Sequence, residues 1–139
     1  MAAILIVDDE KAIRDVLSDT LSFLGYEVTV ASSGHEGLSL FLNNSFGLVF
    51  TDMHMPGMDG WTLAHHIKDK SPDTPVVLIT GSEKETVMKR LKGNFVDTVI
   101  FKPASLEDIQ KTVQRLLHSK SLPRRGAPSV SRSVSSQNA

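Results

Sequence analysis

The sequence predicts a doubly wound α/β fold: an open five-stranded parallel sheet in the order 2-1-3-4-5, with five helices on its two faces. Five short apolar runs alternate with segments of helical spacing, which is the pattern of five βα units. Three of the runs are almost continuously apolar, as strands buried on both faces must be, whereas two carry polar residues within them and belong at the edges. Right-handed crossovers between parallel strands then favour this order, with its switch point between strands 1 and 3.

The runs are AILIV (3–7), EVTVA (27–31), GLVFT (47–51), VVLIT (76–80) and FVDTVIF (95–101). Glu27 and Thr29 mark the second as an edge strand, and Asp97 and Thr98 mark the fifth. After strand 1, Ile13, Val16, Leu17, Thr20, Leu21 and Leu24 share one helical face, which Gly25 ends. Ser33-x-x-Glu36, Ser82-x-x-Glu85 and Ser105-x-x-Asp108 place a capping oxygen and an acid at the starts of the second, fourth and fifth helices. In the third helix His65 and His66 are adjacent, so they project in different directions and read as surface residues. The fifth helix carries its buried stripe at Leu106, Ile109, Val113, Leu116 and Leu117.

At 139 residues, 40% hydrophobic and 22% charged, the chain fits one domain with a substantial core. The expected organisation is a domain over residues 1–118 and a flexible Ser/Arg/Pro-rich tail or linker over 119–139. The tail holds Lys120, Arg124, Arg125 and Arg132 against no acid, which leaves the domain with five more acidic than basic side chains. A domain of that sign is a poor nucleic-acid binder, so no direct nucleic-acid contact is expected from it. No apolar run approaches the ~18 residues of a membrane span, and no basic leader precedes ILIV, so a cytoplasmic location without membrane association is expected. The absence of cysteine excludes disulfides, thiol catalysis and thiolate metal ligation.

Open α/β sheets bind ligands beyond the carboxyl ends of their strands. At those ends stand Asp8, Asp9 and Glu10 after strand 1, Asp52 at strand 3, Thr80 at strand 4, and Lys102 followed by Pro103 at strand 5. Neighbouring strands lie about 4.8 Å apart, so Asp9 and Asp52 can meet, and a lysine stem is long enough to reach back over strand 4. Crowded carboxylates raise one another's pKa unless a cation neutralises them. An all-oxygen donor set suits a hard ion, Mg²⁺ above others. These are the parts of phosphoryl transfer: Asp52 as the attacking group, Mg²⁺ on Asp9 and Asp52, Lys102 as a second cation, and Thr80 as a hydroxyl donor. Gly81 leaves room for the phosphoryl group, and the loop from Met53 to Gly60 lets a backbone carbonyl turn towards the metal.

At these residues the chain closely resembles a response-regulator receiver domain of two-component signalling. The resemblance covers about residues 3 to 118 and rests on Asp8-Asp9, Asp52 in DMHMPGMDG, Thr80-Gly81 in LITGS, and Lys102-Pro103 in IFKPAS. It implies a flavodoxin-like fold and a regulatory phosphoacceptor rather than an enzyme. The phosphoryl group would come from a histidine kinase or phosphotransfer protein. It further implies Mg²⁺ held by Asp9, Asp52 and the His54 backbone carbonyl, with Asp8 behind them, and a cis Lys102-Pro103 bond. The implied output is a downstream protein bound at the helix 4, strand 5 and helix 5 face, with a phosphorylation-dependent dimer also compatible. One position departs: three residues before the lysine, where the family usually has Tyr or Phe, stands Val99. That puts the usual threonine-aromatic coupling in doubt and moves the expected signalling onto Thr80 and the strand 4 to helix 4 loop.

Plainer readings exist for each residue alone. Asp9 is expected to cap the first helix as well as to bind metal, and Ser82 to cap the fourth while tuning dephosphorylation. His54 either influences how water reaches an acyl phosphate or is a passive loop residue. Trp61, Met53, Met55 and Met58 read as packing groups. Two other functions use similar parts. A haloacid-dehalogenase-like phosphohydrolase also forms an aspartyl phosphate, but such enzymes resemble D-x-D where this chain has Asp52-Met53-His54, and a cap domain is lacking. An unphosphorylated interaction module on the same fold is the third reading. No glycine-rich nucleotide motif follows strand 1.

Overall fold

The structure, a computed structural model, describes residues 3–92 and 96–118. Its elements run β1 (Ala3–Val7), α1 (Lys11–Phe23), β2 (Glu27–Ala31), α2 (Gly34–Asn43), β3 (Leu48–Asp52), α3 (Gly60–Lys70), β4 (Val76–Thr80), α4 (Lys84–Leu91), β5 (Thr98–Phe101) and α5 (Leu106–His118). The five strands are parallel in the order β2-β1-β3-β4-β5, with the two polar strands at the edges as their composition requires.

Alternation along the buried strands builds two cores. Ile4, Ile6, Leu48, Phe50, Val77 and Ile79 face one way and pack with Leu17 and Leu21 of α1 and Ile109, Val113, Leu116 and Leu117 of α5. Leu5, Val7, Val49, Val76 and Leu78 face the other way, against Phe41 of α2, Trp61, Leu63, Ala64 and Ile67 of α3, and Val87 of α4. Met53 and Met55 are buried in this second core and Met58 packs at its edge, so the loop after β3 is anchored by its methionines.

Local starts and stops differ from the sequence reading in four places. Val16 is 59% exposed while Leu17 and Leu21 of the same helix are buried in the core; Leu106 likewise lies outside the α5 stripe and is exposed. α1 begins after Glu10 with no side-chain cap, and it is the Asp8 carboxylate, not Asp9, that accepts the Glu10 N–H at 2.9 Å. Glu83 rather than Ser82 precedes α4, because the Ser82 hydroxyl is engaged elsewhere. β5 starts only at Thr98: the Asp97 carboxylate takes the Val76 N–H at 2.7 Å, a bond that a regular ladder would give to a backbone carbonyl. Phe95 and the tail 119–139 lie outside the described residues. Other signals hold: Ser33 and Ser105 cap α2 and α5, and Gly25 ends α1 at φ +98°, a left-handed conformation that favours glycine.

Gly60 fixes where the loop after β3 returns. Its N–H donates to the Met53 carbonyl at 2.9 Å, and a Cβ there would overlap the Asp52 carbonyl oxygen and press on Leu78. Gly60→Ala is therefore expected to cost about 2–3 kcal/mol of unfolding free energy in urea denaturation; a loss below about 0.5 kcal/mol would mean that the turn can shift freely.

Candidate functional site

The strand register brings the sequence-predicted residues together. Val7 of β1 pairs with Thr51 of β3, so Asp8 leaves β1 beside Asp52, the last residue of β3; Asp52 in turn pairs with Ile79, and Thr80 with Phe101. Carboxylate oxygens of Asp8, Asp9 and Asp52 all lie within 4.8 Å of one another. Asp8 and Asp52 are buried, whereas Asp9 is exposed at the rim.

Lys102 enters from the far side of β4. Its Nζ stands 3.7 Å from Asp52 Oδ1, 4.0 Å from Asp8 Oδ2 and 3.9 Å from Glu10 Oε1. One ammonium thus serves three carboxylates, each at the outer limit of an ion pair. The Lys102-Pro103 peptide is cis, as the resemblance implies. Thr80 is buried; its hydroxyl oxygen accepts the Ser82 N–H at 3.0 Å, which leaves the hydroxyl proton to donate. Gly81 follows, and a Cβ there would make only ordinary contact with the aliphatic stem of Lys102.

Burial is the main reason that the Asp8 carboxyl is pushed up from 3.8 to about 6; the Glu10 N–H opposes the shift and the Asp52 charge adds to it. Asp52 is raised as well, again chiefly by burial, against the lowering effects of Lys102 and the Met53 N–H. A single lysine does not offset the cost of charging both groups. Three oxygen donors with no sulfur or imidazole fit a hard divalent cation, and a cation there would relieve the strain that the raised carboxyls report.

Two contributions escape a linear reading. Glu10 shares Lys102, and the His54 ring, which is exposed, bonds through Nε2 to Ser82 Oγ at 2.9 Å across the mouth of the site. The sequence singles out both His54 and Ser82, two residues beyond Asp52 and Thr80, but not their bond, which closes over 28 residues of chain. His65 and His66 lie exposed on α3. Val99 packs at the edge of the core between β5 and its neighbours, and α4 is held to the start of α3 by Arg90, 3.7 Å from Asp59 and over the Trp61 ring at 5.0 Å.

An open parallel sheet with an acidic pocket, a hydroxyl and a lysine at its carboxyl edge defines a class of phosphoacceptor switch, and comparison with known proteins agrees. The family model for the response regulator receiver domain matches residues 4–114, and the chain belongs to that family. It is 34% identical over 116 residues to the response regulator MprA of Mycobacterium sp. (strain KMS), covering 82% of this chain and 50% of that protein. A response regulator receiver domain protein from Clostridium thermocellum superposes with a TM-score of 0.80 at 31% identity, covering 87% of this chain and 98% of that one. TrrA from Thermotoga maritima, solved in complex with Mg(2+)-BeF, does so with a TM-score of 0.78 at 32% identity, covering 84% and 100%. The chain spans about half the length of curated relatives such as MprA. Among the described residues no helix is long and apolar enough to cross a membrane.

The raised Asp8 carboxyl has a measurable sign. Between its unfolded pKa of 3.8 and its folded value of about 6, the folded chain keeps a proton that the unfolded chain has released, so the stability it contributes at low pH is lost as pH rises through that window. In metal-free buffer, wild-type stability relative to Asp8→Asn is expected to fall by roughly 2–3 kcal/mol across that window and to level off above it. A difference independent of pH would contradict the assignment.

Proposed function

We propose that Asp52 is the phosphoacceptor of this receiver domain, and that the chain switches partners according to whether Asp52 carries a phosphoryl group. The observation that carries this reading is the convergence of Asp8, Asp9 and Asp52 under Lys102, with Thr80 alongside. A Mg²⁺ ion held by Asp9, Asp52 and the His54 carbonyl, with Asp8 behind, would supply the positive charge that neutralises phosphoryl oxygens.

The chain's own residues do the rest. The Asp52 carboxylate oxygen forms its bond to phosphorus as the bond between phosphorus and the donor nitrogen breaks. The electron pair stays on the imidazole of the donor histidine, which takes up a proton. Lys102 stabilises the charge on the phosphoryl oxygens and the Thr80 hydroxyl donates a hydrogen bond to one of them. Hydrolysis of the product would regenerate Asp52, so the chain is a regulator that turns over its own phosphate rather than an enzyme acting on a separate substrate.

The donor is a histidine kinase or phosphotransfer protein, and the site of action cytoplasmic. The receiver unit is residues 1–118, with 119–139 as a tail or linker. Output goes to a downstream protein at the face formed by α4, β5 and α5, where Met88 and Leu106 are exposed, and a phosphorylation-dependent dimer is compatible with this reading. Without an aromatic residue at Val99, Thr80 and the loop from Gly81 to Glu83 carry the change to α4.

Incubation with acetyl phosphate followed by intact-protein mass measurement tests the reading. The expected result is one phosphoryl gain for wild type, lost in Asp52→Ala and lost when Mg²⁺ is removed by chelation; a folded wild-type protein that gains nothing would instead be an unphosphorylated interaction module.

A further inference from the structure

Arg14 lies in the first turns of α1, and its Nη1 donates to the backbone carbonyl of Asp8 at 2.9 Å, six residues back along the chain. Asp8 is thereby held at three points. Its N–H donates to the Ala31 carbonyl at 3.1 Å, its carboxylate accepts the Glu10 N–H at 2.9 Å, and its carbonyl accepts from Arg14. The next residue, Asp9, is exposed, and no side chain caps the start of α1. Of these three bonds, the one from the guanidinium falls on the carbonyl of the peptide that joins Asp8 to Asp9. In the turn before α2, Glu36 accepts from the Ser32 N–H and hydroxyl at 2.7 and 3.0 Å. Those Ser32 bonds hold the Glu36 carboxyl low, and the Arg14 charge adds to the effect.

We propose that Arg14 is a positioning residue for the acidic turn: its bond to the Asp8 carbonyl holds the Asp8-Asp9 peptide so that the Asp9 carboxylate converges with Asp8 and Asp52 on a divalent cation. The inference rests on the reading of these carboxylates as the metal site and assigns a residue to it that touches neither metal nor phosphate. Three carboxylate oxygens within 4.8 Å repel one another, and the exposed Asp9 is the one free to swing away. A restraint on the peptide plane keeps it in place before the cation arrives. Partners that orient ligands from behind typically change metal affinity by about 10- to 100-fold when removed.

The test is calorimetric titration of the full chain with MgCl₂ at pH 7 and constant ionic strength, for wild type, Arg14→Met and Asp52→Ala, each well below its own thermal midpoint. Arg14→Met keeps the length of the stem and removes the donor; Arg14→Gln takes its place should that variant not fold. The expected result is a dissociation constant at least about tenfold weaker for the Arg14 variant. A merely structural arginine would lower the thermal midpoint and leave the Mg²⁺ dissociation constant within twofold of wild type, and that result overturns the proposal while leaving the phosphoacceptor reading intact. Wild type that binds no Mg²⁺, or binds it equally well as Asp52→Ala, overturns both.

Discussion

Three carboxylates meet at the carboxyl ends of β1 and β3, and one lysine stands over them; the rest of the structure serves to hold that charge in place. Burial and mutual repulsion raise Asp8 and Asp52, and Lys102, no closer than 3.7 Å to either, lowers them only in part. Such an arrangement is costly in a fold whose net stability is typically about 5–15 kcal/mol. It persists because the strands beneath it are buried on both faces and cannot shift without losing both cores. A divalent cation at these carboxylates would offset that shortage of positive charge.

Rigid and adaptable parts divide along the chain. Asp52 ends a fully buried strand and is paired to Ile79 across the sheet, so its position is fixed by backbone. The loop that follows is pinned at both ends, by Met53 and Met55 in the core and by Gly60 against the Asp52 carbonyl, while His54 between them is exposed. On the other side of the site, Ser82 and Glu83 lead into α4, a helix with one buried residue, Val87, and with Arg90 reaching to Asp59 and Trp61. α4 is thus a short, thinly anchored helix beside the rigidly held Asp52.

Much of this was legible in the sequence because the relevant rules are local. Glu27 and Asp97 are poorly suited to a strand buried on both faces, which favours the strand order, and the order brings Asp8, Asp9, Asp52, Thr80 and Lys102 together at the strand ends. What was not legible depends on contacts between distant parts. Val16 continues the apolar face of α1, yet it stays exposed while Leu17 and Leu21 are buried. Ser82 reads as a helix cap until His54, on another loop, takes its hydroxyl. Asp97 reads as a strand residue until its carboxylate replaces a ladder bond to Val76. Arg14, on an amphipathic helix, looks like any solvated arginine, and only the fold turns it back onto the Asp8 carbonyl.

The claim that organises the account is that this carboxylate cluster is short of positive charge until a divalent cation binds. The most direct measurement is the unfolding free energy at pH 7 as a function of MgCl₂, against NaCl of equal ionic strength, for wild type and Asp9→Asn. The expected result is a rise for wild type that follows the logarithmic dependence of ligand binding to the folded state, and little or none for Asp9→Asn. Equal curves in the two salts for wild type would contradict it.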